Sequence, residues 1–138
     1  MKLIEKNNYN ICNSIYKNLT DEHEYPNVNL VRLDKWFLKK KGSSILLDYG
    51  CGYGENSVYF AKAGYEVHAA DVSKDLISYL KKKNKAKAKQ KIKFFHVNEK
   101  LKKLPFKDNH FDTIICTGVI MYLASKQKTV YLLNEFER

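Results

Sequence analysis

Apolar positions fall into short runs whose spacing changes along the chain. Tyr9, Ile11, Ile15, Tyr16 and Leu19 recur at roughly helical spacing, and Thr20 to Asn27 breaks the pattern. Val28, Leu30, Val31, Leu33, Trp36, Phe37 and Leu38 predict a second helix. Lys39-Lys40-Lys41-Gly42 ends it, with cations in the last turn and glycine as the stop. Ile45 to Asp48 reads as a short buried strand. Glu55 to Ala63 reads as a helix that packs Val58, Tyr59 and Ala61 inward, with Gly64 as terminator. Tyr65 to Ala70 is a second strand ending at Asp71. Ser73 is placed to cap a third helix carrying Leu76, Ile77 and Leu80. Lys91 to Val97 and Phe111 to Cys116 are two more strands, with Leu104-Pro105-Phe106 in a loop between them. Ser125 is placed to cap a last helix with Val130, Leu132, Leu133 and Phe136.

Strands alternating with helices at this spacing predict an α/β domain, a parallel sheet with helices on both faces and right-handed crossovers. Ligands of such sheets bind at the carboxyl ends of the strands. Residues 1–27 read as an N-terminal helical arm or lid, and residues 28–138 as the domain proper.

Composition narrows the class. No apolar run in the 138 residues is long enough to span a bilayer, and the first residues hold no signal-peptide core. Cys12, Cys51 and Cys116 are odd in number and widely spaced, which fits neither a disulfide framework nor a zinc site. A reduced, cytoplasmic protein with free thiols and no metal is the expectation. The net charge of +10 is concentrated in the lysine run from Lys81 to Lys93. Much of that run is rich in helix formers and no aromatic residue interleaves with the lysines from Lys81 to Lys91, so it reads as a solvated surface, not a nucleic-acid groove.

The candidate chemistry lies between the first strand and its helix, where Leu46 to Gly54 reads LLDYGCGYG. Glycines at alternate positions permit unusual backbone angles and keep side chains out of a ligand's way. A dinucleotide fold wants G-x-G-x-x-G, and here the third glycine arrives one residue early. A Walker A loop wants a Lys-Ser or Lys-Thr pair after the glycines, and none follows. Asp48 would repel phosphates and suits a ligand with an amino group. Asp71, at the end of the second strand, can take both hydroxyls of a ribose, although capping the next helix is the alternative. A ribose, an adenine and a charged group other than pyrophosphate describe S-adenosylmethionine.

The stretches ILLDYGCGYG, GYEVHAADVS and LPFKDNHFDTIICTGVIMYL together resemble the class I S-adenosylmethionine-dependent methyltransferases. The block from Glu55 to Asp71 is similar to the tellurite-resistance type of small-molecule methyltransferase. The resemblance covers about residues 28 to 138 and implies a Rossmann-like sheet of order 3-2-1-4. It implies that Gly50, Cys51 and Gly52 lie along the methionine part of the cofactor, with Asp48 supporting its amino group. Asp71 would hold the ribose hydroxyls and Val72 would lie against the adenine. Asn98 falls where the family often has an acid that accepts from the adenine amino group, and an amide oxygen can still accept. Thr117 and Gly118 would face the methionine and the substrate.

Methyl transfer from a sulfonium is an in-line displacement needing alignment and exclusion of water more than a catalytic triad. It leaves S-adenosylhomocysteine as product. His23, His110, Tyr25 and Tyr122 are the candidates for a base, each with a surface or packing role as the alternative. Cys51 and Cys116 read as packing residues. The family's sheet normally continues past a fourth strand, whereas this sequence ends in the helix after it. It therefore reads as a truncated form whose apolar strand-four edge is covered by a second copy or a partner chain. Two function classes follow: a small-molecule methyltransferase, or a non-catalytic or partial cofactor-binding module that needs a partner. A nucleic-acid methyltransferase is disfavoured, because Cys116-Thr117-Gly118-Val119 stands where base-amino methyltransferases carry an Asn/Asp-Pro-Pro-aromatic motif. The glycine spacing disfavours a dehydrogenase.

Overall fold

A computed structural model describes residues 25–38, 44–86, 91–98 and 103–138, together with Ser14. The helical pattern over residues 9–19, Cys12 and His23 lie outside the described residues. The sheet has four parallel strands: β1 (Ile45–Tyr49), β2 (Glu66–Asp71), β3 (Ile92–His96) and β4 (Thr113–Ile115). Their order is β3-β2-β1-β4, as the sequence predicts. The helices are α1 (Val28–Leu33), α2 (Glu55–Lys62), α3 (Lys74–Ala86) and α4 (Lys126–Glu137). Among the described residues no helix is long and apolar enough to cross a membrane.

β1 lies between two neighbours and is covered on both faces, so its apolar run does not alternate with polar residues. Leu46 and Leu47, adjacent in sequence, point to opposite faces and enter two different cores. One core joins Leu46, Phe60, Val67, Leu76 and Leu80, so α2 and α3 cover that face. The other joins Leu47, Tyr49, Ala70, Leu104 and Leu132 beneath α4.

The caps act as predicted. The Ser73 hydroxyl accepts from Leu76 N (3.3 Å) and that of Ser125 from Lys128 N (3.3 Å). Lys81, Lys82 and Lys85 are exposed on α3.

Three details differ from the periodicity. In α2 the fully buried residues are Ser57 and Phe60, whereas Val58, Tyr59 and Ala61 are only half-buried. A serine can take the inner position because its hydroxyl has a partner there, described below. The helix predicted from Val28 to Leu38 is regular only to Leu33 and continues as a widened turn from Asp34 to Leu38. That turn buries Asp34 while Leu33, Trp36 and Phe37 stay exposed. The Asp34 carboxylate accepts from the hydroxyls of Tyr59 (2.9 Å) and Tyr65 (2.7 Å), which stabilises the inward turn. Finally, β4 spans three residues, not the predicted six. At its start Asp112 pairs with Ile45 twice, accepting from Ile45 N at Oδ2 (2.8 Å) and donating from its own N to Ile45 O (2.9 Å).

Candidate cofactor-binding site

Strand register brings the predicted residues to one edge of the sheet. Tyr49 pairs with Ala70, Asp71 with His96, and Asp48 with Ile115. The glycine loop, Asp71-Val72, Asn98 and Thr117-Gly118 therefore all follow the carboxyl ends of their strands. His110 is not among them. It precedes Asp112, which pairs with the start of β1, so it lies at the amino end of the sheet. There its ring is 5.1 Å from the His68 ring and 4.8 Å from that of Phe111. His68, buried in β2, forms an aromatic cluster with Phe95, Phe106 and Phe111 that the sequence reading did not anticipate.

The loop is built on three left-handed residues: Gly50 at φ +76°, Gly52 at +52° and Gly54 at +84°. The alternate glycines thus reflect an alternation of backbone conformation that L side chains resist. Gly50 N (2.8 Å) and Cys51 N (3.0 Å) both donate to Ala70 O, pinning the turn to β2. At Gly50 the close neighbour is the chain itself, because a Cβ there would stand 2.1 Å from Val119 Cγ2. The first glycine is needed to pack the loop after β4 onto the loop after β1. At Gly118 (φ +69°) a Cβ would meet nothing within 4 Å.

Asp71 holds this loop. Its Oδ2 accepts from Gly52 N (3.1 Å) and its Oδ1 from Ser73 N (2.9 Å), so one carboxylate ties the glycine turn to the entrance of α3. The capping alternative therefore describes part of its role. Burial pushes Asp71 above its usual range, opposed by the N–H donors of Ser73, Gly52 and Val72.

Asp48 is 1% exposed beneath the same loop. Its Oδ2 accepts from the Ser57 hydroxyl at 2.6 Å. Its Oδ1 is buried with no hydrogen-bond partner among the described residues. Burial, with the charges of Asp71 and Glu55, outweighs the hydrogen bonds from Ser57 and leaves this carboxyl raised to about 6. A buried acceptor lacking a donor, in company with two more carboxylates, favours a cationic guest and disfavours phosphate. The residues present thus fit a ligand that carries an ammonium and a sulfonium. The thiols do not offer nucleophiles: burial and the neighbouring acids push Cys51 far up, and burial beside Asp48 pushes Cys116 up to about 11.

Around this centre, Val72 and Thr117 are half-buried, and Asn98 is exposed just beyond β3. Tyr122, in a short turn of helix from Ile120 to Tyr122 after β4, is 42% exposed, and Tyr25 is 82% exposed before α1. Asn56 connects the two regions, its Oδ1 accepting from Asn27 N at 2.9 Å. Ser57, Val119 and Asn56 are the residues that sequence reasoning missed. None of the three left a signal in the hydrophobic pattern.

Residues 46–138 match the family described as the methyltransferase domain. The chain belongs to that family. Bacillus subtilis YqeM, which carries the name of a methyltransferase, is 31% identical over 100 residues, covering 70% of this chain and 38% of that protein. Haemophilus influenzae TehB, named as an S-adenosyl-L-methionine-dependent methyltransferase, is 32% identical over 89 residues, 64% of this chain and 30% of TehB. The crystal structure of TehB shares the fold, with a TM-score of 0.59 and 24% identity over 88% of this chain and 38% of that chain. A human protein that carries the name tRNA methyltransferase 9B is 28% identical over 107 residues, 78% of this chain and 21% of that protein. The chain thus spans between 21% and 38% of the length of these curated relatives. S-adenosylmethionine is the cofactor of the family to which the chain belongs.

Proposed function

We propose that the chain forms the cofactor-binding part of an S-adenosylmethionine-dependent methyltransferase acting on a small-molecule acceptor. The observation that carries this reading is the left-handed glycine loop set between two buried acids, one of which has a carboxylate oxygen without a partner among the described residues. In this reading Gly50, Cys51 and Gly52 run along the methionine part and Asp48 supplies negative charge under its ammonium. Asp71 takes the ribose hydroxyls. Val72 covers the adenine, Asn98 accepts from its amino group, and Thr117 and Gly118 face the methionine and the acceptor.

S-adenosylmethionine supplies a methyl group on a sulfonium for in-line displacement. The chain's contribution is to hold that axis, exclude water and, where the acceptor nucleophile carries a proton, receive it. Tyr122 and Tyr25 are the described candidates for the last task. Asn27, the last residue of the N-terminal arm read from the sequence, is tied to Asn56 in α2, beside the glycine loop. The free thiols of Cys51 and Cys116 support a cytoplasmic setting.

Transfer of a labelled methyl group to a panel of small thiols, amines, hydroxyls and oxyanions, with bulk tRNA alongside, tests the acceptor class. Labelling within the panel is expected, and labelling of tRNA alone contradicts it. A second reading follows from β4, whose other edge is unpaired by any described strand. In that reading the chain binds cofactor only as a homodimer, or with a partner chain that adds to this edge. A monomer in sedimentation that still binds cofactor contradicts it.

A further inference from the structure

We propose that Ser57 is a positioning residue that holds the Asp48 carboxylate and governs its ionisation, coupling cofactor uptake to loss of a proton from Asp48. The inference rests on reading the glycine loop as the cofactor site. Ser57 is the third residue of α2 and is 0% exposed, so its hydroxyl is held where it lies. Its 2.6 Å hydrogen bond to Oδ2 leaves Oδ1 as the acceptor without a partner among the described residues. The hydroxyl thus decides which carboxylate oxygen remains for a guest.

The same bond decides when that oxygen is charged. The groups facing Asp48 are Asp71 from β2, Glu55 from the first turn of α2, and the neutral thiols of Cys51 and Cys116. Burial and the two acids oppose ionisation, and Asp48 stands raised to about 6 even with the Ser57 hydrogen bonds in place. Against them stand the Ser57 hydroxyl and backbone N–H at the amino end of α2, where the helix dipole also favours an anion. A cationic guest above the loop pairs best with the ionised form, so binding and deprotonation of Asp48 are linked. Raising the pH through about 6 tightens binding, and lowering it weakens binding.

The test is a calorimetric titration of S-adenosylmethionine from pH 5 to 8 into the wild-type chain, Ser57→Ala and Asp48→Asn. In the ligand-free proteins, the Asp48 carboxyl carbon is followed by NMR over the same range. Wild-type affinity is expected to be level above about pH 7 and to fall towards tenfold per unit below about pH 6. Losing one charge-assisted hydrogen bond moves the Ser57→Ala inflection up by about one unit, so its affinity is weaker by about fivefold at pH 6 and less than twofold at pH 8. Asp48→Asn binds weakly, with no inflection. A Ser57→Ala variant that loses the same factor at every pH, or leaves the carboxyl titration unmoved, overturns the inference while the cofactor reading stands. A folded wild-type chain that takes up no S-adenosylmethionine at any pH overturns the cofactor reading and the inference together.

Discussion

At the scale of single residues, Gly50 shows how one position serves both the backbone and packing. Its φ of +76° excludes most side chains, and Val119 Cγ2 occupies the space where a Cβ would go. Gly50→Ala is therefore expected to cost about 3 kcal/mol, about 1 from the left-handed backbone and the rest from overpacking. Val119→Ala removes the colliding methyl, so the double variant recovers the packing part, read as a coupling energy in urea unfolding. Costs that simply add would place the strain elsewhere. The glycine pattern was legible in the sequence because left-handed backbone has a compositional signature. Val119 was not, since it meets Gly50 only through the parallel pairing of β1 with β4. The site acids divide in the same way. Asp48 and Asp71 stood out by their place at strand ends, whereas Ser57 looked like one polar residue on an amphipathic helix. Its partner lies nine residues away, across a turn whose course the sequence does not display.

At the scale of elements, the four strands and the helices after β1, β2 and β4 follow from period and caps, and all appear in the predicted order. The departures come where a polar side chain takes a buried place. Asp34 does so in the widened turn after α1, and Ser57 in α2. Hydrophobic periodicity assigns both to the surface because it is blind to a hydrogen-bond partner on another element. The Asp34 carboxylate is expected to dock α1, since its removal leaves the Tyr59 hydroxyl without its Asp34 acceptor and the Tyr65 hydroxyl with Leu38 O in its place. Asp34→Ala should destabilise by about 2–3 kcal/mol and Tyr59→Phe by about 1. Hydrogen exchange should show the Asp34→Ala loss first at the amides of α1, with β1 and β2 still protected. Uniform loss across the sheet would mean that the widened turn belongs to the main core.

At the scale of the whole molecule, the sheet positions four loops at one edge, and that edge is the proposed seat of the family's cofactor. The most direct test of the account is a calorimetric titration of S-adenosylmethionine into the folded chain at pH 8, with its oligomeric state fixed by sedimentation. Saturable binding at one site per chain is expected. Asp71→Asn, which keeps an acceptor for the loop but removes the charge, should weaken it at least tenfold. A folded chain that gives no heat and no thermal shift with S-adenosylmethionine, as monomer or as assembly, would contradict the account and leave the three glycines as a turn packed against Val119.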